Sequence, residues 1–286
     1  MEVVLAEEMG FCFGVKRAID AALDAAGDGA KVSTLGSIVH NPQVVEHLRS
    51  RDIETVHHPA EAPEGTVVIS SHGVTPEVMA ETKATVQKVV DATCPIVRSV
   101  QCRAKTLAEA GFLIVIFGDP NHTEVKGVMG WAAGKGVVVS NPEDLEALPH
   151  SRRIALMAQT TQNSRAFEAM AKRLLELRLG EAIEISICNT ICDATAVRQS
   201  AAIALAGEVE AVVVVGGKDS ANTLRLAQIC AESSGGRAAT YHIETADELD
   251  AIDLGGYRRV GVTAGASTPD WVIQEVVDKL RKYGER

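Results

Sequence analysis

Each of three cysteines precedes a polar residue by the same number of positions, and this spacing constrains the fold more than any other feature of the chain. The three pairs, each separated by 28 residues, are Cys12 with His40, Cys94 with His122, and Cys192 with Ser220. Equal spacings of this kind are typical of an internal repeat. The sequence therefore predicts three similar units, spanning residues 1–93, 94–190 and 191–286.

Alternation of short apolar runs with amphipathic segments predicts the fold class. Runs rich in β-branched residues, typical of buried parallel strands, lie at 67–69, 112–117, 154–156, 183–187, 211–215 and 259–262. Helical spacing of apolar residues is clear at 166–179, 194–206 and 271–282. We therefore expect three α/β lobes with mostly parallel sheets.

A second polar turn follows a predicted strand in each unit, and these turns contain His72, Thr160 and Ser267. In open parallel sheets, ligands bind beyond the carboxyl ends of the strands. A pseudo-threefold arrangement of the lobes with these ends inward would therefore gather three cysteines and six polar turns around one central site.

Cys12, Cys94 and Cys192 each open a predicted helix and are followed by Arg17, Arg98 and Arg198, respectively. The partial positive charge of a helix N-terminus favours the thiolate, which is the form that binds metal. Three thiolates suit either zinc or an iron–sulfur cluster. With three protein ligands one metal position stays open, which implies catalysis. The spacing does not choose the metal.

The other three cysteines are expected to be structural. Cys102 and Cys230 lie inside helical patterns and are predicted to be small buried apolar residues. Cys188 forms a CxxxC pattern with Cys192, but it follows a strand-like run and has no counterpart in the other units. We assign it to the core.

The polar turns have the chemistry of an anion site. Helix N-termini offer unpaired N–H groups, and hydroxyl, amide and imidazole groups add further donors. The candidate residues are His40, His72, His122, Ser220, Asn222 and Ser267. Taken singly, such residues are also common helix caps. Their recurrence in all three units favours a diphosphate site.

Glu124 lies two residues after His122 and is the candidate proton donor. A dry site would raise its pKa and keep a proton available near neutral pH. An ordinary first-turn glutamate, favoured by the helix dipole, is the alternative. Gln159 and Thr160 follow a strand and are expected to position a hydroxyl group or a water molecule, or to cap the next helix.

The charge balance argues against several classes of partner. A net charge of −10 and the lack of clustered basic residues exclude a general attraction to nucleic acid or to anionic membranes. No apolar run approaches the roughly 20 residues that span a bilayer, and the N-terminal residues do not have a signal-peptide pattern. The expected compartment is the cytoplasm.

Ordered motifs over nearly the whole chain resemble one known family. They are GFCFGVKRAI, HNPQVV, SSHGV, DATCPIV, HTEVKG, QTT, NTICDATAVRQ, GGKDSANTLRL and TAGAST. In this order they resemble the 4-hydroxy-3-methylbut-2-enyl diphosphate reductases, the LytB/IspH family. The resemblance implies a three-lobed α/β fold. It also implies the last step of the methylerythritol phosphate route to isoprenoids, in which the allylic hydroxyl is removed reductively to give isopentenyl and dimethylallyl diphosphates.

The resemblance also implies a cofactor and residue roles. Cys12, Cys94 and Cys192 would hold one 4Fe-4S cluster per chain, with the fourth iron open to the substrate's hydroxyl group. Electrons would come from reduced ferredoxin or flavodoxin. The implied diphosphate ligands are His40, His72, His122, Ser220, Ala221 through its backbone, Asn222 and Ser267. Glu124, with His122 and Thr160, would supply the proton.

Two positions depart from the family pattern. Thr123 replaces a proline at the first helical position, where proline is helpful but dispensable. Ala221 replaces the second of two adjacent serines. One side-chain donor to phosphate is missing there, which costs about 1 to 3 kcal/mol if that donor is buried and nothing replaces it.

Two functions from other classes remain open on the residues alone. One is a zinc hydrolase in which the three cysteines hold zinc and Glu124 is the general base. The other is a non-catalytic iron–sulfur sensor, which would give no purpose to Glu124 or to the polar turns.

Overall fold

The protein is described by a computed structural model that covers residues 1–27 and 30–283. Within these residues, twelve strands form three four-stranded sheets, and all strand pairs are parallel. Helices flank each sheet. The predicted α/β class with three lobes is therefore confirmed.

The sheets share one strand order. Sheet A runs β1 (Glu2–Leu5), β12 (Arg259–Ala264), β10 (Ala211–Val215), β11 (Ala239–Ile243). Sheet B runs β5 (Lys88–Asp91), β4 (Thr66–Ile69), β2 (Val32–Leu35), β3 (Ile53–Val56). Sheet C runs β9 (Glu184–Ile187), β8 (Arg153–Ala158), β6 (Leu113–Phe117), β7 (Gly136–Val139).

Nine α-helices lie in the described chain. They are α1 (Phe13–Ala26), α2 (Pro42–Arg49), α3 (Pro76–Thr85), α4 (Pro95–Glu109), α5 (Thr123–Trp131), α6 (Ser164–Arg178), α7 (Asp193–Glu208), α8 (Ala221–Ser233) and α9 (Asp270–Tyr283). Short 3-10 helices at Pro59–Glu61, Pro142–Ala147 and Ala246–Ala251 occupy the same place in each repeat. All the strands and helices predicted from apolar spacing are confirmed, with ends shifted by a few residues.

The N-terminal strand belongs to the third sheet. β1 pairs with β12, with Val3 opposite Val260, although the sequence assigned residues 1–93 to one lobe. In sheets B and C the corresponding edge position is filled by the strand that ends its own repeat, β5 or β9. Within residues 191–283 the third repeat has no such strand, and β1 takes that place. The boundaries predicted after residues 93 and 190 follow β5 and β9.

The chain divides into two compact units. One contains residues 1–16, 39–46 and the chain from residue 193 onward, and it holds sheet A. The other contains residues 17–38 and 47–192, and it holds sheets B and C. None of the described helices is both long enough and apolar enough to cross a membrane.

Sheet C is buried on both faces, as expected for a parallel sheet. Ile114 and Ile116 of β6 pack in a cluster with residues of α4 and α5. Val115 and Phe117 pack in a second cluster with residues of α6. Helices α4 and α6 therefore cover opposite faces of this sheet.

Gly261 in β12 permits close packing of α7 on sheet A. A Cβ atom at this position would lie 2.8 to 3.0 Å from three side-chain carbons of Leu205, which is only 4% exposed. Such distances are shorter than van der Waals contact. The strand therefore needs glycine here for the helix to reach its position.

We predict that Gly261→Ala lowers the free energy of unfolding by about 1 to 3 kcal/mol, because overpacking forces the neighbouring side chain to move. Leu205→Ala creates space at the same point, so the double variant should lose less stability than the two single losses added. Urea unfolding of all three variants measures this coupling. Gly180→Ala is the control, because no described atom lies within 4 Å of the added group. Additive losses would contradict the packing argument.

Candidate active site

Three cysteines occupy equivalent places in the three lobes. Cys12, Cys94 and Cys192 each follow an edge strand, β1, β5 or β9, and each is directly followed by the first residue of a helix, α1, α4 or α7. The prediction that each cysteine opens a helix is confirmed. Seven residues separate β1 from α1, three separate β5 from α4, and five separate β9 from α7.

The backbone N–H of each cysteine makes the same hydrogen bond. Cys12 N donates to Ala266 O at 3.1 Å, Cys94 N to Ser71 O at 2.9 Å, and Cys192 N to Thr160 O at 3.0 Å. In every case the acceptor lies in the turn that follows the strand next to the cysteine's own edge strand. The second polar turn of each lobe therefore fixes the position of a cysteine.

These three cysteines are more exposed than Cys188 and Cys230. Cys12, Cys94 and Cys192 are partly exposed thiols. Cys188 and Cys230 are buried, as expected, and burial raises the pKa of Cys230 to about 12. Partly exposed cysteines at helix N-termini have the donor chemistry that iron–sulfur clusters and zinc take from a protein.

Cys102 is exposed, so the prediction that it is buried is wrong. The buried face of α4 consists of Val97, Val100, Gln101, Ala104 and Ala108. Cys102 lies outside that face. Its position within a helical pattern was insufficient to decide which side of the helix it occupies.

Arginines near the cysteines donate hydrogen bonds to backbone carbonyls. Arg198 is 6% exposed and donates from Nε to Gly10 O at 3.0 Å and from Nη2 to Phe11 O at 3.1 Å. Arg17 donates to Thr93 O at 3.1 Å. The sequence identified the basic residues but not these acceptors, which fix the segments immediately before Cys12 and Cys94.

Four predicted anion-binding residues lie in the unit that holds sheet A. Ser220 is the N-cap of α8, where its Oγ accepts from Thr223 N at 3.4 Å. Ser267 Oγ lies 3.3 Å from His40 O and 3.4 Å from Ser220 Oγ. The structure therefore brings together His40, Ser220 and Ser267, and Asn222 lies in the first turn of the same helix.

Asn222 has an unsatisfied buried amide. The residue is 5% exposed, and neither Nδ2 nor Oδ1 has a hydrogen-bond partner within the described residues. Buried polar groups are nearly always paired in folded proteins. An amide at a helix N-terminus with both atoms unpaired is therefore a strong indication of a polar ligand.

The backbone beside His40 is tightly packed. A Cβ atom at Gly217 would lie 2.7 Å from His40 O, so only glycine lets this loop approach so closely. Burial lowers the pKa of His40 below its ordinary value, and the Asp219 carboxylate opposes that shift. Asn41, which sequence reasoning did not select, caps α2 by accepting from Val44 N at 3.1 Å.

The other predicted polar residues lie in the compact unit that holds sheets B and C. His122 is the N-cap of α5, and its Nδ1 accepts from Glu124 N at 3.2 Å. A neutral His122 must then carry its proton on Nε2, which makes Nε2 a donor. The rings of His72 and His122 are nearly perpendicular, with centroids 5.6 Å apart.

Glu124 is a buried carboxyl group bound by Thr160. The residue is 2% exposed, and Thr160 donates to it from its backbone N and from its Oγ1, both at 2.7 Å. Burial raises the pKa of Glu124, and the two bonds from Thr160 oppose that shift. The expectation of a dry carboxyl group is confirmed.

The sequence matches the LytB protein family over residues 3–281. The chain belongs to the LytB family.

Curated relatives and solved structures of the LytB family support this assignment. A protein of Geobacter metallireducens named 4-hydroxy-3-methylbut-2-enyl diphosphate reductase is 45% identical over 282 residues, which cover 99% of this chain and 98% of the relative. A protein of the same name from Citrifermentans bemidjiense is 47% identical over 281 residues, 98% of this chain and 97% of the relative.

Two solved structures share the LytB fold. One is the structure of (E)-4-hydroxy-3-methyl-but-2-enyl diphosphate reductase, the terminal enzyme of the non-mevalonate pathway. It is 40% identical, covers 99% of this chain and 100% of its own, and has a TM-score of 0.71. The other, a diphosphate reductase from Plasmodium falciparum, is 26% identical, covers 97% of this chain and 87% of its own, and has a TM-score of 0.89.

Glu124 gives this LytB family member a specific dependence of stability on pH. Because the pKa is raised from its ordinary 4.5, the native state keeps a proton that the unfolded chain loses. Stability from this group is therefore full below about pH 4.5 and falls as pH rises through the raised pKa, by at most about 1.4 kcal/mol per pH unit.

We predict that Glu124→Gln, which cannot ionise, removes this decline. Urea unfolding of the metal-free protein at a series of pH values from about 4.5 upward measures it. Glu275→Gln on the exposed face of α9 is the matched control and should retain the decline. An unchanged slope in Glu124→Gln would show that this carboxyl group is ionised in the native state across the range.

Proposed function

We propose that this chain reduces 4-hydroxy-3-methylbut-2-enyl diphosphate to isopentenyl and dimethylallyl diphosphates, the terminal step of the non-mevalonate pathway. The reaction breaks the allylic C–O bond, consumes two electrons and two protons, and releases water. Relatives that match nearly the full length of this chain are named as this reductase. The observation that carries the proposal is the pair of hydrogen bonds made by Thr160. Its side chain donates to buried Glu124, and its carbonyl accepts from Cys192 N.

Cys12, Cys94 and Cys192 are the proposed ligands of one 4Fe-4S cluster with an open iron. Their partial exposure and their equivalent positions at helix N-termini support this ligand set. When bound, the cluster supplies single electrons and a Lewis-acidic iron for the allylic hydroxyl group. The backbone bonds to Ala266, Ser71 and Thr160 hold the three thiolates in place for it.

Polar turns of all three lobes are proposed to bind the diphosphate. The proposed ligands are His40, His72, His122, Ser220, Asn222, Ser267 and the backbone N–H of Ala221. The unpaired amide of Asn222 and the N-cap position of Ser220 support this assignment. A bound diphosphate would supply the acceptors that Asn222 Nδ2 does not find within the described chain.

Glu124 is the proposed proton donor to the departing hydroxyl group. Its raised pKa keeps the carboxyl group protonated at a higher pH than usual, so a proton is available when the C–O bond breaks. Thr160 Oγ1, 2.7 Å from Glu124 Oε2, orients that group and can pass the proton through its hydroxyl. His122, whose Nδ1 binds the Glu124 backbone, steadies the turn.

Neither alternative function is supported by the comparisons. The relatives are named as reductases, which favours neither a zinc hydrolase nor a non-catalytic sensor. The electron donor is proposed to be reduced ferredoxin or flavodoxin. The cytoplasmic location stays a prediction, as do the pseudo-threefold arrangement and the lobe boundaries.

We predict that anaerobically purified protein contains about four iron and four acid-labile sulfide atoms per chain. Cys12→Ser, Cys94→Ser or Cys192→Ser should remove most of the iron and most of the sulfide, because each change deletes a proposed ligand. Cys102→Ser, Cys188→Ser and Cys230→Ser are controls that should retain them. Chemical iron and sulfide analysis decides this, and a lack of sulfide after anaerobic reconstitution would leave zinc or no metal.

We predict that Glu124→Gln retains the cluster but lowers turnover at least ~100-fold, because the amide cannot donate the required proton. Steady-state assays with a small viologen reductant measure the rate, and iron analysis of the same sample controls for cluster loss. A rate near that of the parent protein would remove Glu124 from the proton path.

We predict that Asn222→Ala weakens binding of the allylic diphosphate roughly 10- to 100-fold, since hydrogen bonds to charged groups contribute about 1.5 to 3 kcal/mol. Ala221→Ser, which restores the hydroxyl group usual in the family, should tighten binding. Anaerobic titration calorimetry on cluster-loaded protein measures both. Unchanged affinity in Asn222→Ala would exclude its amide from the anion site.

A further inference from the structure

A groove lies beside two of the proposed cluster ligands. It has a volume of about 360 Å³ and is formed by the start of α4 and the loop that precedes Cys192. The lining residues are Pro95, Ile96, Ser99, Val100, Arg103, Asn189, Thr190 and Ile191. All belong to the unit that holds sheets B and C.

Two residues of the groove are sequence neighbours of proposed metal ligands. Pro95 directly follows Cys94, and Ile191 directly precedes Cys192. A protein bound in this groove would contact residues that are adjacent in sequence to two of the three cysteines. The inference drawn from this position rests on the proposed function, because it assumes that these cysteines hold the cluster.

The outer face of α4 is unusual for a surface. Ile96, Ser99 and Arg103 recur at helical spacing and line the groove together. Ile96 is 40% exposed, and Arg103 is exposed with no ion-pair partner within the described residues. An exposed apolar residue beside an uncompensated guanidinium is typical of the surface of a transient complex.

The charge of this surface is opposite to that of the chain. No carboxylate is among the lining residues, all of which the structure describes, and Arg103 is the charged one. The whole chain has a net charge of −10. A local positive site on an acidic protein attracts an acidic partner to that point and repels it elsewhere.

The proposed reaction requires a partner that delivers electrons. Each turnover consumes two electrons and two protons, so two molecules of a one-electron carrier are oxidised for each C–O bond that is broken. We propose that the groove between α4 and the loop before Cys192 is the docking surface for a small acidic electron-carrier protein. Arg103 pairs with a carboxylate of the carrier, and Ile96 contacts its apolar surface.

Charge reversal at Arg103 tests the proposal. Arg165→Glu is the matched control, because Arg165 is also exposed and lies on α6, which covers the opposite face of sheet C. Cluster-loaded variants are assayed with a reduced ferredoxin, with a reduced flavodoxin, and with a small viologen reductant. Binding of the oxidised ferredoxin to each variant is measured separately by interferometry.

We expect Arg103→Glu to weaken ferredoxin binding and to lower the ferredoxin-dependent rate at least 10-fold, with the viologen-dependent rate unchanged. Arg165→Glu should change neither quantity. Added salt should slow the parent protein with ferredoxin and have little effect on Arg103→Glu, because screening removes the attraction that the variant already lacks. Ile96→Ala should weaken binding without altering the salt dependence. A loss with flavodoxin as well would indicate that both carriers use this groove.

Two results separate the proposals. If the parent protein reduces the diphosphate with viologen but Arg103→Glu binds and uses ferredoxin normally, the docking surface is wrong and the reductase function stands. If the parent protein gives no product even with viologen, the proposed function itself fails. A loss of the viologen-dependent rate in Arg103→Glu would overturn the docking role, because the change would then act on the site directly.

Discussion

Each of the three cysteines is held by its own backbone N–H, which donates to a carbonyl in the polar turn of the neighbouring strand. This bond uses only the backbone of the cysteine and fixes its position at the start of the helix that follows. The same turns contain His72, Thr160 and Ser267, so in each lobe the position of a cysteine and that of a polar side chain depend on one local structure. A shift in any of these turns would move a cysteine and a polar side chain together.

Two opposing effects set the pKa of one buried carboxyl group. Burial disfavours the charged form of Glu124, whereas two short bonds from Thr160 favour it. Burial prevails in this balance. The position of Thr160 therefore matters twice, since its hydroxyl group lowers the pKa of Glu124 and its carbonyl accepts a hydrogen bond from Cys192 N.

Much of this organisation could be predicted because it repeats. The 28-residue spacing revealed three units, and β-branched runs such as 211–215 identified strands because parallel strands buried on both faces are continuously apolar. Spacing could not reveal that β1 pairs with β12, since strand pairing across the length of a chain leaves no local pattern. For the same reason, the carbonyl partners of Arg198 were not foreseen. The exposure of Cys102 depends on helix orientation, which tertiary packing decides.

The pairing of β1 with β12 has a consequence for how the protein is made. Val3 leaves the ribosome roughly 250 residues before its partner Val260. At about 5 to 20 residues per second, the first strand waits roughly 10 to 50 s for its place in the sheet. Cys12 must wait equally long for Ala266 O, the acceptor that fixes it. The position of Cys12 is therefore fixed only after β12 and the turn that contains Ala266 have been made, and β1 is an unpaired edge until then.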